Sequence, residues 1–319
     1  GKAPVAVDLV LQPDEDFVLS WHDGTALPMA FTSGMTNCLG RLSACVIGVS
    51  GTGSIVAEQL ARLGLGEVIL IDFDRVEFKN LNRILNSTLA DAKSETLKVE
   101  AFGAVVRRYR QGCQVVEIPR NIATREAVLA AAEADVLFSC VDTGEGRHIA
   151  DRIGAYFLIP IFDVGVSIPT CPSRDNDNRT IIEICGRIDY VYPGSSNLQD
   201  RGVYTAALLE AEYLAKAAPD SYRHKLNDGY LPGAGEQAPA VISLNMRAAS
   251  ACVMEFIART FPFRHDSNAK FARSIFTLCG GEEDFYPQEQ FTPQHGFVLG
   301  AGAQEPLIGL PALMGAANA

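Results

Sequence analysis

Residues Val46 to Arg83 read VIGVSGTGSIVAEQLARLGLGEVILIDFDRVEFKNLNR, and their order of strand, glycine turn, helix, strand and polar loop decides how the chain folds. Cys45, Val46 and Ile47 form a short apolar run that stops at Gly48-Val-Ser-Gly-Thr-Gly-Ser54. Small residues there let the backbone turn tightly and let an anion approach its N–H groups. The helix predicted from Ser54 to Leu63 puts Ile55, Leu60 and Leu63 on one face, and Gly64-Leu-Gly66 ends it before a strand at Val68–Ile71. The product is one βαβ nucleotide-binding unit, with Gly48, Gly51 and Gly53 as the candidate phosphate cradle.

Asp72 stands at the end of the second strand, about 20 residues past the glycine turn, where a carboxylate can accept hydrogen bonds from a ribose. An NAD-dependent oxidoreductase would show the same features, although Ser50 occupies the place of the middle glycine of GxGxxG and Gly51 adds one. The polar loop beyond the strand separates the two. Asp72-Phe-Asp74, Val76-Glu77 and Asn80-Leu-Asn-Arg83 resemble the ThiF/MoeB/HesA family of adenylyltransferases, of the ubiquitin-activating type, and an oxidoreductase gives that loop no role. The resemblance spans about 41–260.

That resemblance implies a doubly wound, mainly parallel Rossmann-like α/β sheet with helices on both faces, mixed at one edge. It implies that Asp72 holds the ribose of ATP, with Asp74 beside it, and that Asn80, Arg83 and Lys98 contact the phosphates. It places Mg²⁺ on Asp142, in Ser139-Cys-Val-Asp-Thr143, and matches Arg147 to an arginine that comes after the aspartate in the family. The implied reaction is ATP-dependent adenylation of the C-terminal carboxylate of a ubiquitin-like protein, a sulfur-carrier protein or a short peptide, with pyrophosphate released. Charge on the phosphates must be neutralised for that attack, which is the work of Arg83, Lys98 and the metal. A thioester step would need an accessible thiol, and Cys171, in the polar loop Pro169–Asn178, is the candidate; Cys185 reads as a core residue of the next strand. A conjugating enzyme and a homodimer are further implied partners, with Arg41 the basic residue placed to reach a neighbouring subunit. A catalytically silent scaffold is a third reading, opposed by the joint presence of Asp72, Arg83, Lys98 and Asp142.

Elsewhere the pattern predicts an N-terminal extension over 1–40 with strands at Val5–Leu11 and Phe17–Trp21. The adenylation domain comes next over 41–265, then a turn-rich tail over 266–319. Within the domain a helix is expected from Phe31 to Leu42, another from Glu95 to Tyr109 and a long apolar one from Ala238 to Thr260, where Met246 and Met254 read as packing residues. The family resemblance further implies that Asp163-Val-Gly165 is a strand-end turn beneath the ribose and phosphate. Alternating strands and helices of this kind put ligands at the carboxyl ends of parallel strands.

The 27 basic and 38 acidic residues give a net charge of −11. That balance argues against a general nucleic-acid field or an anionic membrane surface as partner. Apolar runs fall short of a membrane span and 1–12 lacks a signal pattern, so a cytoplasmic protein is expected. The 8 cysteines are scattered with no CxxC pair, so neither a disulfide framework nor a structural zinc site is expected.

Overall fold

An eight-stranded sheet forms the middle of the molecule, a computed structural model that describes residues 32–172, 179–219, 241–310 and 313. The expected strands at Val5–Leu11 and Phe17–Trp21, the stretch 220–235 and the loop tip at 173–178 lie outside the described residues. Strands β1 (Ser43–Ile47), β2 (Glu67–Ile71), β3 (Gln114–Ile118), β4 (Val136–Ser139) and β5 (Ile161–Ser167) run parallel. Their spatial order, β5-β4-β1-β2-β3, leaves a switch point between β1 and β4. Ligands of doubly wound sheets bind at such a point, outside the carboxyl ends of the strands.

Helices cover both faces. Ala44 and Val46 of β1 belong to a core shared with α2 (Gly51–Leu63), α4 (Lys98–Tyr109) and α8 (Ile242–Thr260). Cys45 and Ile47 point the other way, into a core shared with α5 (Arg125–Ala131) and α6 (Gly144–Phe157). Burial on both faces requires apolar residues at successive positions, which is why these strands appear in sequence as unbroken apolar runs. At the centre Phe138 stacks on Phe162 at 5.2 Å, and Phe256 of α8 meets both edge-on. Each such buried ring stabilises by roughly 1.5–3 kcal/mol. Among the described residues no helix is long and apolar enough to cross a membrane.

Several sequence-based expectations shift. Helix α1 is confined to Ser33–Leu39, the short α3 spans Leu89–Lys93, and α4 begins at Lys98 because Glu95 takes a positive φ of 49°. Helix α2 starts at Gly51, inside the predicted turn; of the turn's three glycines only Gly48 has positive φ, 87°. The segment Thr180–Val191 divides. Its first part is β7 (Arg179–Ile181), paired with β6 (Thr170–Pro172) in a separate hairpin, and its second is β8 (Cys185–Val191), antiparallel to β5. Cys185 is therefore half-buried at a strand start, not a core residue. Met246 and Met254 are exposed, because the sheet and α2 take the face of α8 that carries Leu244, Ala248, Cys252 and Phe256. The stretch 266–319, expected as turns, supplies β9 (Arg273–Thr277) and β10 (Glu282–Tyr286), which extend the sheet from β8.

Candidate active site

The turn after β1 is built by close backbone contacts. A Cβ at Gly48 would lie 2.9 Å from the Cys140 carbonyl oxygen at the end of β4, and one at Gly53 would be driven into the Gly48 carbonyl oxygen. Asp72, at the end of β2, fixes the turn from below: its Oδ2 accepts from Val49 N at 2.8 Å and its Oδ1 from Asp74 N at 2.8 Å. Lys98, buried at the start of α4, donates to Asp74 at 2.7 Å and stands 3.8 Å from Asp72. Burial pushes the Asp72 carboxyl above its ordinary range, opposed by the Lys98 charge and by the two amides. Asp72, Asp74 and Lys98, 26 residues apart in sequence at their extremes, thus form one cluster at the strand end.

The loop beyond β2 closes over this turn. Leu85 N donates to Ser54 Oγ of α2 at 3.1 Å, which ties the loop to the glycine helix. Arg83, half-exposed, places its Cδ 3.3 Å from where a Cβ on Gly51 would be. Its Nη1 donates to the Lys79 carbonyl at 3.0 Å and to Asn82 Oδ1 at 3.2 Å. Asn80 is buried and spends its Oδ1 on Glu77 N at 3.1 Å, closing the short 3₁₀ turn Phe78–Asn80 that carries the loop. Asp142 lies exposed just past β4, one residue from the Val141 side chain that packs on Gly48. Cys171 sits partly exposed in the β6–β7 hairpin, beyond the carboxyl end of β5, and among the described residues no contact joins it to this cluster.

Two helices point their N-termini at the switch point, and they differ. On α6 the Thr143 hydroxyl accepts from Gly146 N, and the Glu212 carboxylate of α7 (Ala206–Ala217) accepts from Gly144 N and Glu145 N at 2.8 and 2.9 Å. On α2 the N-cap residue Ser50 makes no side-chain capping bond. The amides of α2, with the positive end of its dipole, are the ones left for an anion.

Sequence reasoning missed a buried ionic ladder. Asp163 and Asp189 face each other across β5 and β8, both fully buried. Arg187 pairs with Asp163 and lies 2.7 Å from Asp189. Arg147 meets Asp163 at 3.2 Å, while Arg201 and Arg273 reach Asp189 at 3.2 and 2.8 Å. Burial raises the Asp163 carboxyl, but Arg147, Arg187 and the Ser139 hydroxyl outweigh it and hold the group below its usual range. Asp163-Val-Gly165 is therefore strand interior and not the expected turn. Arg147 also donates to the Asp142 carbonyl at 3.4 Å, so the ladder begins at the site.

A cavity of about 160 Å³ lies between α6 and the β5–β8 pair, at the start of β5, lined by Asp151, Ile161, Pro193, His295 and Phe297 among others. Asp151 accepts from Tyr204 Oη at 2.9 Å and Leu198 N at 3.0 Å, yet burial pushes its carboxyl up from 3.8 to about 8. A carboxyl raised on folding favours the folded state below its unfolded pKa, and that contribution is lost as pH rises through the folded value. Urea unfolding should show stability falling between about pH 4 and pH 8 in the wild type, and Asp151→Asn should flatten that slope. An unchanged slope in the variant removes Asp151 as its cause.

Residues 26–180 match the ThiF family. Ubiquitin-like modifier-activating enzyme 5 of Aedes aegypti is 27% identical over 166 residues, which are 48% of this chain and 38% of that protein. The protein of the same name from Caenorhabditis briggsae is 35% identical over 113 residues, 32% of this chain and 26% of its own. The chain thus spans well under half the length of these curated relatives. Among solved structures, Escherichia coli MccB with ATP superposes at a TM-score of 0.59 and 17% identity, over 83% of this chain and 69% of that one. MccB in complex with N-formylated MccA gives 0.61 and 18%, over 80% and 67%. The matched span contains the glycine turn, the Asp72 to Arg83 loop and all five parallel strands, so it is over these elements that the chain is similar to the ThiF family.

Proposed function

We propose that this site binds ATP and adenylates the C-terminal carboxylate of a protein or peptide. The observation that carries the reading is the N-terminus of α2, which has no side-chain cap, while the neighbouring α6 terminus is filled by Glu212. A triphosphate laid there has the α2 amides and Arg83 for its oxygens. Asp72 keeps acceptor capacity for a ribose beyond its two amides, and Lys98 stands between Asp72 and Asp74 at the same edge. A single exposed carboxylate such as Asp142 suits Mg²⁺, which keeps most of its sphere for phosphate oxygens and water. When bound, that ion would neutralise phosphate charge.

In the reaction an oxygen of the acyl carboxylate attacks the α-phosphorus, the bond from that phosphorus to the bridging oxygen breaks, and pyrophosphate leaves with the electron pair. The protein's part is positional and electrostatic: donors aimed where negative charge grows. The substrate class is a ubiquitin-like or sulfur-carrier protein tail or a short peptide, in keeping with relatives named for activating ubiquitin-like modifiers and with a fold neighbour solved in complex with N-formylated MccA. A homodimer, a conjugating enzyme downstream and a cytoplasmic setting complete the proposal. Cys171, on the hairpin that follows β5 and partly exposed, is the candidate for a subsequent thioester.

Radiolabelled pyrophosphate exchange into ATP is the test, run with a carrier ending in Gly-Gly and with a short free-carboxylate peptide. Stimulated exchange with either supports adenylation, and NADH binding without ATP binding sinks it. A DTT-sensitive adduct that survives Cys171→Ala removes that residue from the mechanism.

A further inference from the structure

The glycine turn has a neighbour that the adenylation reading leaves unused. Asn245 comes from the first turn of α8, far along the chain, and packs against Gly51. It is 2% exposed, and among the described residues its Oδ1 has no hydrogen-bond partner. A Cβ on Gly51 would overlap its carboxamide nitrogen and stand 3.3 Å from Arg83 Cδ, so the three residues converge on one point.

An amide held there forgoes a hydrogen bond and bears the desolvation of its oxygen, whereas a leucine would fill the same space without that cost. The oxygen is an acceptor, so it cannot hold a phosphate. It requires a donor. Arg83, whose Cδ stands beside this point, carries five N–H groups on a planar fork, and its Nη1 is directed to Lys79 and Asn82 of its own loop.

We propose that Asn245 is a positioning residue for Arg83. With a triphosphate on the glycine turn, the Asn245 carboxamide, whose nitrogen faces Gly51 in this structure, turns its Oδ1 toward Arg83. The guanidinium leaves the Lys79 carbonyl and Asn82 to donate one N–H to that oxygen. That bond fixes the plane of the fork over Gly51 and turns the remaining N–H groups toward the phosphates. The absence of a side chain at Gly51 is what lets the carboxamide and the guanidinium meet. This role presupposes a nucleotide on α2 and so rests on the adenylation reading.

The test is a double-mutant cycle on the full chain, reading ATP affinity by equilibrium titration and both KM and kcat of pyrophosphate exchange. Asn245→Leu should weaken ATP binding on the order of tenfold, with an unchanged or raised thermal midpoint. In the Arg83→Ala background the same change should cost less than about twofold, because the partner it positions is gone. Losses that multiply across the two backgrounds overturn the proposal, as does an Asn245→Leu chain that binds ATP like wild type while Arg83→Ala does not. An Arg83→Ala chain that binds and exchanges like wild type overturns the nucleotide site and this inference together.

Discussion

Arg83→Ala should lower pyrophosphate exchange by about a hundredfold or more while leaving the fold in place. The loss of rate comes from chemistry: removing one aimed donor from a site where oxyanion charge develops typically costs a factor of about 10² to 10³. The intact fold comes from contacts. Arg83 is half-exposed and its hydrogen bonds go to Lys79 and Asn82 within its own loop, so truncation should cost no more than about 0.5 kcal/mol. The loop itself is held by Asn80 and by Leu85 on Ser54, neither of which the change touches. Exchange at the wild-type rate in a folded variant would remove Arg83 from the mechanism.

Gly53→Ala should have the largest effect on folding of any single methyl group added to this chain's turn. The new Cβ is aimed at the Gly48 carbonyl oxygen, with the Cys140 side chain 3.1 Å away on the other side. Both obstacles belong to strand ends fixed by the sheet, so α2 would have to lift away. Alanine improves helix propensity by about 1 kcal/mol, but overpacking against backbone should win with a loss on the order of 3 kcal/mol. Nucleotide binding would go with it. Gly112→Ala meets nothing within 4 Å and serves as the control, within about 0.5 kcal/mol of wild type in the same denaturant titration. Equal stability of the two variants would refute the packing argument.

The parallel half of the sheet was legible because its information is local. Apolar strand runs, the glycine turn and the helix after it lie within one continuous stretch, and Asp72 to Arg83 extends it. Legibility ended at the antiparallel edge for a physical reason. Glu282–Tyr286 is a polar edge strand whose stability comes from pairing with β9, and no apolar alternation announces it. Asp163, Arg187, Asp189 and Arg273 are ordinary scattered charges until the register of β5, β8 and β9 stacks them, and Arg201 joins them from the turn beyond β8. The long helix was similar: α8 is apolar on most sides in sequence, so only the docked sheet shows that Met246 and Met254 face outward. Asn245 was invisible for the same reason, a lone amide in an apolar helix whose neighbour at Gly51 is supplied by tertiary structure.

The ladder also sets how short this protein can be made. A chain cut after Thr260 would keep every candidate nucleotide residue from Gly48 to Asp142 and would look complete by sequence criteria. It would nevertheless strip Arg273 from Asp189 and bare the backbone of β8, turning a covered strand into an open pairing surface. Self-association of the trimmed product, rather than a soluble minimal enzyme, is what such trimming should yield.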